Sequence, residues 1–305
     1  MIFSALRRQL DSSQVLRIVL LIGAVIVFND FDSNHRFTAA LKNWGHVAVF
    51  FLASHLLLDV LRDWIGQRRL RLIGIALFCL GIGVGIELIQ PYFGRDRSLL
   101  DLLYDGVGIG AALLFHLANE VRKKVFRGLG CIVLILSAMQ PVYFGTMVLA
   151  RSWAVPYLAG FERFWEQDIW RAQEDSSAQI EANPAGGHWL RVEMQRGAYP
   201  GVAFPEIHHD WQGYRSLALR VFSPQAQTLT LRIHDKKHNN DYDDRYNQRL
   251  SIQPGINDLV IPLNDVASAP KNRRMDLSQI QNLMLFAVSP EQSLTVYVDE
   301  VRLLE

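Results

Sequence analysis

Polar side chains interrupt the long apolar runs of residues 1–150 at only a few positions. Glu87 and Gln90 are three residues apart, so they share one face of a helix. Asp101 and Asp105, four residues apart, do the same, and His46 opens an earlier apolar run. Ionisable groups within apolar helices usually face a bundle interior or a wet cavity. With the arginines of the connecting loop, they predict one polar cluster: His46, Glu87, Gln90, Arg95, Arg97, Asp101 and Asp105.

Three interpretations of this cluster are open. Arg95 and Arg97 can hold a phosphate by charge-assisted hydrogen bonds, with Glu87 or Asp101 as the acid or base. Alternatively, these carboxylates pair with the same arginines and only hold the helices together. A third interpretation makes the loop a solvated connection and Asp101 a first-turn carboxylate that the helix dipole favours.

A second concentration of polar side chains lies between His234 and Arg249. Sugar recognition needs an aromatic ring that stacks on the apolar C–H face of the sugar, flanked by amides, carboxylates and arginines that bond its hydroxyls. This stretch supplies all of these groups, although Tyr242 and Arg245 are also ordinary loop residues. The residues that we predict to bind a ligand are Asp235, Asn239, Asn240, Tyr242, Arg245 and Tyr246.

The sequence lacks the common catalytic motifs. It contains no GxSxG elbow, HExxH helix, Walker loop or GxGxxG turn after a strand. Cys79 and Cys131 lie in apolar runs and read as small core residues. With 31 basic and 30 acidic side chains the chain is almost neutral, which argues against a nucleic-acid binder. We therefore favour a protein without enzymatic activity and without a cofactor.

The elements that must position the first cluster are helices. A span of the hydrocarbon core takes about 20 apolar residues, and four stretches reach roughly that length, while a fifth is shorter. Residues 1–150 are therefore predicted to form a membrane all-α bundle of about five transmembrane helices. The predicted spans are 15–28, 45–61, 70–93, 99–118 and 129–150.

Basic residues predict the orientation of this bundle. If the N-terminus is cytoplasmic, eleven arginines and lysines fall on the inner side and four on the outer side. Five spans that start inside end outside, so the chain after about residue 150 is expected in a periplasm or at a cell surface. Glycines at positions 81, 83, 85, 106, 108 and 110 offer GxxxG faces for close packing of two of the spans.

The second half of the chain has a different pattern. Residues 151–184 are predicted to be a connector that includes an amphipathic or linker helix. From residue 188 onward, apolar and polar side chains alternate in seven or eight short segments separated by turn residues. This predicts an all-β jelly-roll sandwich over residues 185–305. Trp189 and Trp211 each begin a strand, and we expect both to be core anchors.

The membrane half resembles the VanZ-like family over about residues 40–118. The similarity lies in the Glu87–Gln90 helix end, the arginine loop 94–98, the helix that begins near Asp101, and Lys42 with His46. The family usually has Asn where this chain has Asp105, so the chain departs from the family pattern here and adds a carboxyl group to the cluster. The resemblance implies a location in the bacterial cytoplasmic membrane and a link to the cell envelope, more than any particular reaction.

The second half resembles the galactose-binding-like fold, especially carbohydrate-binding modules. The matching stretches are Trp211 to Leu219, Leu231 to Asp235, Tyr242 to Asn247, Gly255 to Leu263 and Leu294 to Leu303. Related sandwiches often hold a structural calcium near the ends of their first and last strands. The resemblance thus implies a possible calcium site, with oxygen ligands from Glu174, Asp175 or Asp299.

Three functions follow from these observations. The favoured one is a multi-pass envelope protein, associated with membrane lipid, that presents a glycan-binding sandwich outside the membrane. The second is a membrane enzyme or lipid-handling factor that acts on a polyprenyl phosphate or a lipid-linked sugar at the outer interface. The third is an assembly factor whose sandwich binds a protein partner.

Overall fold

The computed structural model describes residues 12–29, 35–93 and 97–305. The chain consists of two compact units, Met1–Gly145 and Thr146–Glu305. The first unit is helical and the second is a β-sandwich, as the change of sequence pattern predicts. The boundary falls inside a helix, so the C-terminal part of that helix belongs to the second unit.

Six helices occupy the described part of the first half. The first two are α1 (Ser12–Asn29) and α2 (Arg36–Val60). Helix α3 (Arg68–Ile89) continues into a 3₁₀ turn, Gln90–Phe93. Helix α4 (Leu99–Glu120) follows the arginine loop, and α5 (Lys124–Ser137) and α6 (Met139–Ala154) end the helical half.

Two of these helices are long and apolar enough to cross a membrane, namely Arg68–Tyr92 and Leu99–Glu120. Helices α5 and α6 pass the same test as a pair, bent by 42° at their junction. The described residues therefore contain two candidate spans, or three if the bent pair is one span, and not the five that we predicted. The apolar part of α1, Ser13–Val25, is too short, and polar side chains such as His46 and Asp59 interrupt α2.

Two of the six glycines that we predicted for close packing, Gly83 and Gly108, contact a neighbouring helix. The space around Gly81, Gly85, Gly106 and Gly110 is open. At Gly108, instead, an added Cβ would overlap the carbonyl oxygen of Val47 and lie 2.9 Å from the nitrogen of Phe51. This glycine allows the backbones of α2 and α4 to approach closely.

Two antiparallel sheets form the second unit. Sheet A has the order β3-β4-β11-β6-β9, and β1 also pairs with β11. Its strands are β1 (Tyr157–Ala159), β3 (Ser176–Ala182), β4 (His188–Met194), β6 (Ser216–Ser223), β9 (Gly255–Pro262) and β11 (Leu294–Leu304). Sheet B has the order β2-β5-β10-β7-β8. Its strands are β2 (Arg171–Gln173), β5 (Gly201–Ala203), β7 (Gln227–Asp235), β8 (Tyr246–Ile252) and β10 (Ile280–Phe286). A short helix, α7 (Leu263–Ser268), follows β9.

Alternate residues of both sheets fill the core between them. Leu190 and Val192 of sheet A and Leu231 and Ile233 of sheet B are fully buried, which is the period-two pattern of the sequence. Trp211 is fully buried, as predicted. The prediction for Trp189 was wrong, because this tryptophan precedes the inward-facing Leu190 and therefore lies on the outer face of sheet A. Cys131 is likewise exposed, whereas Cys79 is buried.

The stretch predicted as a connector contains strands. Within residues 151–184, β1 pairs with β11, β2 with β5 and β3 with β4. No α-helix lies between Val155 and Asn183, all of which the structure describes. Arg151, in the last turn of α6, is buried and donates hydrogen bonds to the carbonyl oxygens of Trp165 and Glu206. The sandwich thus incorporates this segment instead of starting at residue 185.

Candidate functional site

Three helices bring part of the predicted polar cluster together. His46 on α2 places Nδ1 2.8 Å from Oδ1 of Asp105 and Nε2 3.7 Å from Oδ2 of Asp101, both on α4. Asp105 is 1% exposed. A Cβ at Gly83 of α3 would overlap its other carboxyl oxygen. The spacing argument therefore holds for these residues, since the two aspartates share one helix face and meet the histidine.

Glu87 closes the cluster on the third helix. Its Oε2 accepts a hydrogen bond of 2.6 Å from the backbone nitrogen of Ser98. The hydroxyl of Ser98 in turn accepts from the backbone nitrogen of Asp101 and caps α4. This pair of hydrogen bonds therefore ties the C-terminal turn of α3 to the N-terminus of α4.

The arginines contribute less than predicted. Arg97 is exposed and forms no ion pair within the described residues, so it does not join the cluster. Arg95 lies outside the described residues, and Gln90 is half-buried in the 3₁₀ turn. The described cluster consists of three carboxyl groups and one histidine. Such a site repels a phosphate, so the described residues do not support a phosphate-binding role.

A second ionic network, which the sequence analysis missed, lies further along the same helices. Arg71 pairs with Glu120, and His116 lies 3.1 Å from Glu120 Oε1 and 3.7 Å from Asp59 Oδ1. Arg17 also pairs with Asp59. His116 is eleven residues from Asp105, about 16 Å along α4. The four-residue spacing of His116 and Glu120, at the end of an apolar run, is the sequence pattern that could have indicated this network.

The residues of the sandwich loop that we predicted to bind a ligand divide into two groups, and Asp235 belongs to the structural one. Asp235 is 1% exposed at the end of β7. Its two carboxyl oxygens accept hydrogen bonds of 2.5 and 2.7 Å from the guanidinium of Arg273. The same guanidinium donates to both oxygens of Asp244, at 2.6 and 3.0 Å. Both carboxyl oxygens of Asp235 therefore accept hydrogen bonds from Arg273, and no ligand can reach this carboxylate.

These contacts shift the ionisation of the three groups. Hydrogen bonds from Arg273 lower the pKa of Asp244 to about 2. Burial acts to raise the pKa of Asp235, but the hydrogen bonds from Arg273 and from the Asp276 backbone more than offset it and lower the pKa. The two carboxylates raise the pKa of Arg273. All three groups are therefore charged at neutral pH, which is typical of a structural ion-pair network.

Other predicted residues of the loop also bond within it. Tyr246 is buried at the start of β8, its hydroxyl donates to Gln248 Oε1, and burial raises its pKa to about 12. Asn239 donates its backbone nitrogen to Asp244 and accepts from the backbone nitrogen of Asp241. Asn240 is exposed and has a left-handed backbone, with φ of 72°. Tyr246 and Asn239 thus shape the loop.

Tyr242 and Arg245 remain available to a ligand. Tyr242 is 68% exposed, and the guanidinium of Arg245 lies 5.2 Å from the centre of its ring. They stand beside the outer face of sheet B, where side chains alternate with the buried residues of β7, β8 and β10. We call this surface the Arg232 face; its residues are Tyr199, Arg232, Tyr242, Arg245, Asn247, Asn282 and Phe286.

The Arg232 face is positively charged and incompletely hydrogen-bonded. Arg232 lies over the ring of Phe286 at 4.6 Å and donates to Oδ1 of Asn247. Neither Arg232 nor Arg245 has a carboxylate partner among the described residues. Nε of Arg245, Nδ2 of Asn247 and Oδ1 of Asn282 are shielded from solvent and have no hydrogen-bond partner within the described structure. Buried polar atoms are normally paired, so this face is suited to a polar ligand.

The calcium prediction remains untested. Glu174 accepts from the backbone nitrogen of Tyr199, and Asp175 lies next to it at the turn before β3. Asp299 belongs to β11 and lines a cleft on sheet A. Within the described residues no group of three or more His, Cys, Asp or Glu side chains is arranged to hold a metal ion.

No family model and no curated protein matches this chain, but solved structures do. A family 11 carbohydrate-binding module from Clostridium thermocellum, in complex with a beta-1,3-1,4-mixed-linked tetrasaccharide, is 17% identical with a TM-score of 0.40; the match covers 49% of this chain and 94% of the module. A non-crystalline cellulose specific carbohydrate-binding module, CBM28, is 14% identical with a TM-score of 0.37; the match covers 50% of this chain and 94% of that module. An exo-beta-agarase is 18% identical with a TM-score of 0.39, covering 48% of this chain and 25% of the enzyme.

Likenesses this distant assign neither a ligand nor an activity to the chain. The resemblance of residues 40–118 to the VanZ-like family likewise stays a prediction.

Proposed function

We propose that this protein is a non-enzymatic, multi-pass protein of the bacterial cytoplasmic membrane that presents a glycan-binding sandwich on the outer side. The observation that carries the proposal is the Arg232 face. It combines an exposed tyrosine with two guanidinium groups and two amide groups that lack carboxylate or hydrogen-bond partners, respectively, among the described residues. Amides and arginines bond hydroxyl groups, and arginine also binds carboxylate or phosphate. The ligand that fits best is an anionic glycan of the cell envelope.

Two features support the outer location: the positions of the basic residues, and the odd number of membrane crossings between the segment before α3 and the sandwich. If the bent pair α5–α6 is one span, three crossings separate residue 67 from the sandwich. Lys123 and Lys124 then lie on the same side as Arg68 and Arg69, two crossings away, and the sandwich lies on the opposite side. Whether α1 and α2 both cross or both remain on one side, this parity is unchanged. The positive-inside rule places the basic segments in the cytoplasm.

The two alternative functions are less well supported. A role in handling lipid-linked phosphates needs several cations near the polar cluster of His46, whose described members are three carboxyl groups and one histidine. An assembly factor would bind a protein through the sandwich, and the unpaired polar atoms of the Arg232 face suit hydroxyl-rich ligands better than an apolar protein surface.

The test is glycan binding by the full chain in lipid nanodiscs, measured on an array of acidic and neutral oligosaccharides. Acidic glycans should bind, and the Arg245→Ala and Arg232→Gln variants should each weaken this binding by about tenfold, as loss of a charged hydrogen bond does. Rising salt should also weaken it. Arg302→Ala, on the other sheet, is the matched control and should bind like the parent protein.

Two results would refute the proposal. One is a folded parent protein that binds no acidic glycan at millimolar concentration. The other is unchanged binding by both arginine variants, which would mean that the glycan contacts some other surface.

A further inference from the structure

The outer face of sheet A carries an aromatic platform that neither the sequence analysis nor the proposed function uses. Trp189 of β4 lies 4.3 Å from Tyr297 of β11 and 5.4 Å from Phe222 of β6, measured between ring centres. The rings of Trp189 and Phe222 are nearly parallel, at 24°. Since the three rings touch one another, they form a continuous surface and not a cage around a central space.

This platform forms part of a cleft. The cleft has a volume of about 300 Å³, at the small end of the range for ligand pockets. Polar groups stand beside the rings, and Ile256, 64% exposed, lies at the rim. The residues that define it are Trp189, Arg220, Phe222, Ile256, Tyr297 and Asp299. We call it the Trp189 cleft.

Two polar groups of the cleft lack a complete set of partners. The indole Nε1 of Trp189 is shielded from solvent and has no hydrogen-bond partner in the described structure. One carboxyl oxygen of Asp299 accepts from the backbone nitrogen of Glu300 at 2.7 Å, and the other forms no hydrogen bond to the described residues. An acceptor, the second carboxyl oxygen of Asp299, therefore stands beside an apolar aromatic surface. An aliphatic ligand such as a lipid chain would displace water from this oxygen without bonding to it, at a cost in free energy.

The charge around the cleft excludes anionic ligands. Arg220 is the cation of the cleft, and Asp258 and Glu300 each bind it at 2.7 Å. Its charge is thus already matched twice over, and Asp299 adds a further carboxyl group. Burial raises the pKa of Asp299. The Arg232 face, on the other sheet, has the opposite charge, so the two surfaces select different ligands.

We propose that the Trp189 cleft is a second saccharide-binding site, specific for an uncharged sugar ring that stacks on Trp189 and bonds its hydroxyls to Asp299. The apolar C–H face of a pyranose fits an aromatic ring of this size. A sugar hydroxyl supplies the donor that the second carboxyl oxygen of Asp299 lacks among the described residues. The sandwich then binds glycans on both of its faces, with a neutral unit on sheet A and an acidic unit on sheet B.

The experiment uses the full chain in nanodiscs and a panel of neutral tetrasaccharides built from glucose, N-acetylglucosamine, galactose, mannose and xylose. At least one of them should bind. Trp189→Ala should weaken binding by about tenfold or more, as truncation of a central aromatic anchor does. Trp189→Phe, which keeps an aromatic ring, should retain most of the affinity. Trp153→Ala, at an exposed tryptophan outside the cleft, is the control.

A second pair of variants tests the cleft independently, in case the Trp189 variants do not fold. Ile256→Arg blocks the cleft from an exposed rim position and should abolish neutral-sugar binding. Val260→Arg, exposed on the same face of β9 but outside the cleft, should not. The inference is refuted if no neutral sugar binds, or if Trp189→Ala and Ile256→Arg both bind like the parent protein. Arg232→Gln should leave neutral-sugar binding unchanged, so this inference and the proposed function can fail separately.

Discussion

At the scale of single residues, environment separates ligand-binding groups from structural groups of the same type. Asp235 and Arg245 both belong to the polar stretch that predicts sugar binding. Asp235 is held on both oxygens by Arg273, 38 positions away on another loop, whereas Arg245 contacts the ring of Tyr242 and has no carboxylate partner among the described residues. A buried carboxylate with a bidentate arginine is already satisfied and serves the fold.

Removal of Arg273 should destabilise the sandwich strongly. Arg273→Ala leaves Asp235 buried without a cation, and we expect a loss of about 3 kcal/mol in the free energy of unfolding. Lys271→Ala is the matched control, because the Lys271–Asp243 pair is exposed and should contribute less than about 1 kcal/mol. Equilibrium denaturation of the two variants measures the difference. Equal losses would mean that the Arg273 network contributes no more than a surface ion pair.

The same network predicts a loss of stability in acid. The pKa values of Asp235 and Asp244 are lower in the folded chain than in the unfolded chain. Their contribution to stability is thus complete above the unfolded value of about 4 and decreases as the pH falls from about 4 to about 2. Arg273→Gln should flatten this part of the pH profile, and an unchanged profile would contradict the assignment.

At the scale of elements, the sequence indicates which helices are rich in glycine, but it does not indicate which of these glycines contact a neighbouring helix. The GxxxG spacing singles out Gly106 and Gly110, yet both have open space around them. Gly108, which lies between them, faces the backbone of α2. Residues two positions apart on a helix face different directions, so only one of these faces can meet the neighbouring helix.

A single methyl group should distinguish these glycines. Gly108→Ala forces α2 and α4 apart and should cost about 1–3 kcal/mol. Gly110→Ala meets no neighbour and should be neutral or stabilise the helix by up to about 1 kcal/mol. Thermal unfolding of the purified protein in detergent measures both effects. A Gly108→Ala variant as stable as the parent protein would show that the two backbones are not in contact.

At the scale of the whole molecule, the proposed function depends on the side of the membrane on which the sandwich would lie. The described residues contain two helices that could cross a membrane, and a bent pair that could supply a third span. An odd number of crossings after the basic segment 68–71 places the sandwich outside. An even number would place it in the cytoplasm, where envelope glycans are absent.

Cysteine labelling measures this directly. In a Cys131→Ser background, which removes the exposed native thiol, Gln225→Cys in the sandwich should react with an impermeant maleimide in cells whose cytoplasmic membrane is intact. Gln67→Cys, before α3, should react only after that membrane is permeabilised. The reverse pattern would overturn the outer location, and the glycan proposal with it.

The sequence by itself determined the division into a helical half and a sandwich, because apolar runs and period-two alternation report which side chains leave water. It also predicted the grouping of His46, Asp101 and Asp105, since helical spacing decides which side chains share a face. Only the tertiary structure decided that Arg273 occupies Asp235, that Gly108 is the packing glycine, and that Trp189 lies on the outer face. These facts depend on contacts between residues far apart in the chain. A local sequence pattern does not specify which distant residue will contact a given residue in the folded chain.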